Sequence, residues 1–208
     1  MEQSTLVVGS LDALRDVLAH GDHGLTLVNA DVVVVPTAAA FIGAAKAAVL
    51  TADAFNGVDA RVEALMVTDR ASNAQDYFVE RLTNADVVVL CDGSPLHARL
   101  VWRNSPVGDA INAARSLVAV GAVATVLGDV MVDPRGGAPM VGLGYRSGAA
   151  ICAPASDDQM TRTRSLLAAD VALVVVGPSG VVRRDDDGWR VVSARNVVVT
   201  RGTETVTL

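Results

Sequence analysis

Apolar residues in this chain gather into short runs separated by stretches of helical spacing. Leu6–Val8, Val32–Val35, Ala85–Leu90, Leu117–Val120 and Val171–Val176 are runs of this kind. Runs so short and so rich in valine predict strands buried on both faces, as in a parallel sheet. Arg61–Val67 predicts a further strand. Between the runs, Leu11–Ala19, Ala38–Ala48, Gln75–Leu82 and Gly108–Ala114 carry the spacing of helices, and Ser94 followed by Pro95 marks a helix start. Strands alternating with helices imply right-handed βαβ units. The prediction is an α/β three-layer sandwich with a mostly parallel, doubly wound sheet.

The last third changes character. Ala149–Cys152 and Val171–Val176 predict strands around a short helix near Gln159–Leu167. Val181–Arg184 and Trp189–Val192 predict a hairpin turning at Asp187 and Gly188. Val197–Thr200 and Thr205–Leu208 predict two more short strands. The chain therefore reads as one domain over residues 1–208, with a β-hairpin-rich portion over 177–208.

Composition narrows the function. Half the chain (51%) is hydrophobic over 208 residues, enough for one sizeable core. The net charge of −6 comes without any lysine or arginine stripe, which argues against nucleic-acid binding. The two cysteines, Cys91 and Cys152, lie in apolar segments and read as buried free thiols. No Cys/His spacing suggests a metal, and no cofactor is expected. No apolar run approaches the roughly 20 residues that span a membrane, and no signal peptide is visible. A cytoplasmic protein is the resulting expectation.

Sites in doubly wound sheets form at the carboxyl ends of strands. Here those ends are Gly9 with Ser10, Pro36–Phe41, Thr68–Arg70, Cys91–Pro95, and Gly121 with Ala122. The stretch LVAVGAVATVLG (Leu117–Gly128) reads as a strand, a tight corner and a helix start. A hydrolase of this architecture places its nucleophile at such a corner. The residue there is Gly121, which has no side chain to attack with. Two other groups could supply a nucleophile. Ser94 and His97 form one pair, although an N-cap already explains the serine. Cys91 is the other, although a buried thiol is inert unless its pKa is depressed. Gly93 and the helix start beside it favour anions. Asp69, Asp129 and Asp133 are scattered carboxylates with no diagnostic spacing, and Asp185–Asp187 reads as a solvated hairpin tip.

Several stretches resemble the cyanophycinase and dipeptidase E family of serine peptidases. They are PTAAAF at Pro36–Phe41, DGSPLH at Asp92–His97 and, most specific, MVDPRGGAPMVGLG at Met131–Gly144. The resemblance covers roughly Val28 to Thr200. It implies a fold similar to class I glutamine amidotransferases, flavodoxin-like in its sheet. It also implies a ligand cleft at the strand-end loops, involving Pro36, Thr37, Asp92, Gly93, Ser94 and Arg135.

The catalytic positions depart from the family pattern. The serine of the elbow falls on Gly121, and the glycine two residues later is Val123. The histidine falls on Pro154, in Ile151–Pro154, and the acidic residue falls on Pro178. No histidine follows His97 anywhere in the chain. Gly9 and Ser10 stand where the family has a glycine-rich turn. The expectation is a catalytically inactive homologue acting by binding a protein partner or a small ligand. The alternative is an active hydrolase with its nucleophile relocated to Cys91, or to Ser94 with His97. The family resemblance implies a homodimer, to which the apolar stretch Ala38–Leu50 could contribute, or a hetero-oligomer with an active relative.

Overall fold

Four of the five apolar runs lie side by side. In the computed structural model, which describes residues 3–21, 23–132, 139–154, 157–193, 197–201 and 204–206, five strands run parallel. The chain opens with β1 (Ser4–Val8), α1 (Leu11–His20), β2 (Ala30–Val35), α2 (Ala44–Ala52) and β3 (Ala60–Ala64). It continues through α3 (Asp76–Asn84), β4 (Val87–Leu90), α4 (Pro95–Trp102), α5 (Pro106–Ala113) and β5 (Ser116–Val120). Next come β6 (Gly128–Val132), β7 (Pro139–Val141), β8 (Arg146–Cys152), α6 (Asp157–Leu166) and β9 (Ala172–Val176). The described chain closes with β10 (Val181–Asp185), β11 (Gly188–Ser193), β12 (Val197–Arg201) and β13 (Glu204–Val206).

Two sheets form where one was predicted. The seven-stranded sheet has the order β11-β10-β1-β5-β4-β2-β3, and the six-stranded sheet has the order β13-β12-β9-β8-β6-β7. The hairpin-rich portion divides between them. β10 pairs antiparallel with β1, while β12 pairs antiparallel with β9. The α/β class and the mostly parallel first sheet follow the prediction. The second sheet escapes it because β6 and β7 are short and lack an apolar run.

Period-two alternation explains the layers. On one face of the first sheet, Leu6, Val8, Val32, Val34, Val87, Val89, Val118 and Val120 pack against α1 and α2 residues such as Leu14, Val17 and Ala48. On the other, Val7, Val33, Val35, Val88, Leu90, Leu117 and Ala119 meet Trp102 and Ile111 from α4 and α5. Ala149, Ile151, Val174 and Val176 of the second sheet join that same cluster. The second sheet's far face, with Leu173 and Val175, packs on Met160 of α6.

Three boundaries depart from the pattern. The helix expected over Ala38–Ala48 is a short 3-10 turn (Thr37–Ala39) and then α2, separated at Gly43, whose φ of +112° suits glycine. Phe41 and Ile42 project from that break, 80% and 74% exposed. After the Gly121 corner comes a buried 3-10 turn, Gly121–Leu127, rather than an α-helix. Val123, Thr125 and Val126 lose side-chain freedom in a helix, which weakens it there. The hairpin turns one residue earlier than predicted, at Asp186 and Asp187, with Asp185 opposite Gly188. The expected start at Ser94 is a cap, and Ser105 is a second one. Ser94 Oγ accepts from His97 N at 3.3 Å and Ser105 Oγ from Gly108 N at 3.1 Å, each with proline in the first turn.

Candidate functional site

Sheet order decides which loops meet. β4 lies between β2 and β5, with Leu90 opposite both Val35 and Ala119. The carboxyl ends of these three strands therefore present Pro36, Cys91 with Asp92, and Gly121 to one another. Backbone contacts lock the first two: Cys91 N donates to Val35 O at 3.1 Å and Ser94 N to Ala38 O at 2.7 Å. A Cβ on Gly93 would fall 2.2 Å from Ala38 O, so only glycine permits this approach.

At the corner itself, Gly121 has φ +63°. That left-handed geometry is what a sharp strand-to-helix elbow requires. The space a side chain would fill is taken. A Cβ on Gly121 would lie 2.5 Å from Asp92 Cγ and Oδ1 and 2.7 Å from Oδ2. Asp92 Oδ1 accepts from Ala122 N at 2.8 Å and from Gly93 N at 2.8 Å. Ala122 follows the corner and Gly93 lies on the neighbouring strand-end loop. Two backbone N–H groups converging from such positions are the donors an oxyanion hole uses. Here the protein's own carboxylate occupies them.

The other expected ligand contacts divide between interior and surface. Pro36 and Thr37 are buried, Thr37 completely, so the expectation that they line an open cleft is corrected. Thr37 Oγ1 donates to Val67 O at 2.5 Å and accepts from Trp102 Nε1 at 3.1 Å. Its hydroxyl is a core connector between β2, α4 and the strand-end segment before Thr68. Asp92 is exposed, and Gly93 and Ser94 are half-buried. Arg135, and the DPRGG segment with Asp133, lie outside the described residues.

The alternative nucleophiles are differently engaged. Cys91 is 1% exposed, and its Sγ lies 3.4 Å from Thr51 Oγ1. Burial pushes its thiol up to about 11, with the Asp92 charge adding to the rise and the Thr51 hydroxyl opposing it. A thiol so held is a poor source of thiolate near neutrality. Ser94 Oγ is occupied as a helix cap, and the His97 ring turns away from it. His97 Nε2 lies 2.8 Å from Thr68 O, and the ring meets Phe41 edge-on at 4.6 Å between centroids. The two side chains are thus each tied to backbone or aromatic neighbours rather than to one another.

Pro154 and Pro178 follow the neighbouring strands β8 and β9 of the second sheet. Pro154 is exposed and joined to Ala153 by a cis peptide bond. Pro178 lies in the turn against Gly9. A Cβ on Gly9 would sit 1.8 Å from Gly177 O and 3.0 Å from the Pro178 carbonyl carbon, and Gly9 N donates to Gly180 O at 3.0 Å. The scattered carboxylates hold backbone. Asp69 accepts from Ser72 N at 2.9 Å, and the Ser72 hydrogen bonds hold its carboxyl below the usual range. Asp129 Oδ2 accepts from Gly148 N at 2.6 Å. Among the described residues no three His, Cys, Asp or Glu side chains are grouped to hold a metal ion. No helix among them is long and apolar enough to cross a membrane.

The role of Asp92 at the corner was hidden in the sequence. Twenty-eight positions separate Asp92 from Val120, and only the adjacency of β4 and β5 brings the carboxylate to Gly121.

No protein-family model and no curated protein sequence matches the chain. Solved structures do. A crystal structure of a peptidase from an acI-B1 actinobacterium superposes with a TM-score of 0.76 at 18% identity, covering 100% of this chain and 98% of that one. A crystal structure of a candidate peptidase E from Listeria monocytogenes EGD-e superposes with a TM-score of 0.65 at 10% identity, covering 97% and 99%. At these identities the likeness is one of architecture, and it runs the length of the chain: this protein has the α/β fold of peptidase E-like structures.

Proposed function

We propose that this protein is a catalytically inactive homologue of peptidase E-type serine peptidases and acts by binding. One observation carries the reading: the Asp92 carboxylate stands where a side chain on Gly121 would begin, and it accepts the Ala122 N–H. An acyl-transfer centre needs a nucleophile at the corner and free donors for the oxyanion. Here the first is missing and the second are held by a fixed negative charge. Pro154 and Pro178, at the positions that the resemblance gives to the histidine and the acid, have no group to accept or relay a proton.

Binding is the activity that remains to such a scaffold. Phe41, Ile42 and Val49 are large apolar side chains exposed on or beside α2. Association as a homodimer, or with an active relative, would cover them. The cytoplasm is the compartment proposed.

Purified protein incubated with acidic dipeptides, with β-aspartyl-arginine polymer and with a fluorophosphonate probe tests the reading. The expected result is no turnover above a heat-denatured control and no labelled serine. Turnover that disappears in Ser94→Ala or Cys91→Ala would sink it and establish the relocated-nucleophile alternative.

A further inference from the structure

A second polar centre lies away from the corner, at the amino-terminal end of β1. A cavity of about 290 Å³ is bounded there by Gln3, Tyr145, Arg146, Ser147 and the end of β10. Arg146, the first residue of β8, is 6% exposed. Its Nε donates to Thr5 Oγ1 and its Nη1 to Tyr145 O at 2.5 Å. Its Nη2 is buried and has no partner. Arg184, on β10, lines the same cavity and has a buried Nη1 that is likewise unpartnered. The other face of that guanidinium lies over the Trp189 ring, 5.7 Å from its centroid.

Two unpaired guanidinium donors on one cavity are costly. Buried polar groups are almost always hydrogen-bonded, and a buried donor left without a partner is destabilising. Burial and the Arg184 charge together pull the Arg146 guanidinium down to about 10. The nearby acids do not relieve the pair. Asp185 Oδ2 lies 3.9 Å from Arg183 Nε and 3.5 Å from Arg190 Nε, and Asp187 holds Arg190 at 2.7 Å. Those four groups balance in charge. Asp186, exposed at the hairpin turn, is the remaining acid among the described residues of the cavity wall. Among the described lining residues, Arg146 and Arg184 against Asp186 leave one positive charge.

We infer that this cavity is a binding site for a carboxylate, received by the guanidinium groups of Arg146 and Arg184. One surplus positive charge matches a monoanion, and charge-assisted N–H donors of a guanidinium suit a carboxylate. Ser147 and Gln3 offer further polar groups at the mouth. The carboxylate belongs either to a small acid or to the free terminus of a short peptide. The site is independent of the Gly121 corner, so it stands or falls apart from the loss of peptidase chemistry.

Amide NMR of the full chain tests it, with propionate and a tripeptide of free carboxyl terminus as probes. Propionamide and the amidated tripeptide, at equal ionic strength, are the controls. The expected result is saturable shifts at Ser147 and Arg184 from an acid and none from its amide. Arg184→Gln should weaken that binding at least tenfold while leaving distant amides in place. Arg146→Lys, which keeps the charge and loses the guanidinium donors, is the second variant should Arg184→Gln fail to fold. A response to propionate alone identifies a small acid, and a response to the tripeptide alone identifies a chain terminus. No saturable shift from either acid, equal shifts from the amides, or undiminished binding in the folded variant would overturn the inference.

Discussion

Asp92 and Gly121 occupy one volume between them: the carboxylate of the first fills the space where the second would carry a side chain. Restoring serine at the corner therefore meets both a left-handed backbone and a neighbour already in place. Gly121→Ser is expected to cost about 1–2 kcal/mol from backbone conformation alone, with crowding by Asp92 added. Asp92 is a side chain and can move, so Gly121→Ser with Asp92→Ala should cost less than the two changes summed. A coupling of about 0.5–3 kcal/mol is expected from residues in contact. A urea-denaturation double-mutant cycle reads it, and strict additivity would refute the contact. The double variant should stay unlabelled by fluorophosphonate, because Pro154 and Pro178 supply no base.

Gly9 separates the cost of space from the cost of conformation. A Cβ there would meet the Gly177 carbonyl oxygen at 1.8 Å, and backbone cannot rotate away as a side chain can. Gly9→Ala is expected to destabilise by about 3 kcal/mol or more. Gly21, at φ +77° with nothing near its would-be Cβ, provides the contrast. Gly21→Ala should cost only the roughly 1–2 kcal/mol of a left-handed residue. Similar losses at the two positions in thermal or urea unfolding would show that the β1–β9 approach is looser than described.

Cys91 gives the protein an alkaline limit. Its thiol ionises near 11 in the fold against a usual value of 9.0. As pH rises past 9 the unfolded chain loses that proton first, so stability falls, and the fall ends above about 11. Two units correspond to roughly 3 kcal/mol. Cys91→Ala should remove that part of the slope between pH 9 and 11 and leave the contribution of Cys152. Iodoacetamide near neutral pH should spare Cys91 in the native protein and label it in urea. Prompt native labelling would contradict its burial.

Thr37 should behave as a structural residue. Replacing it with valine keeps the shape and leaves Trp102 Nε1 and Val67 O without their partner. A loss of about 1–3 kcal/mol per unsatisfied buried group is expected. Thr37→Ser, which keeps the hydroxyl, should recover most of it. Equal stability of the two variants in urea would mean that the hydroxyl contributes nothing there.

Local patterns were readable and meetings between distant segments were not. Val32–Val35 and Val87–Leu90 announce buried parallel strands because both faces of each are apolar, and both faces are indeed covered. Ser94 announces a helix start because a serine cap acts within three residues. The Gly121 corner was legible as a corner, since it joins a strand to a turn. That Asp92 fills it depends on strand order. The burial of Thr37 depends on Trp102, which is 65 positions away. Arg146 gave no signal either: a lone arginine at a strand start reads as solvated until Thr5 and Tyr145 are seen to enclose it.

The pairing of β1 with β10 also constrains how the chain can be made. Residues 4–8 form a middle strand, flanked by β5 on one side and on the other by residues 181–184. Until those late residues leave the ribosome, the first strand synthesised has an open hydrogen-bonding edge. Contacts of such sequence separation are slow to form, and an unpaired edge is where chains join one another. A nascent or truncated protein ending before β10 would thus carry, at the end of its principal sheet, a valine-bearing edge open to another copy of itself.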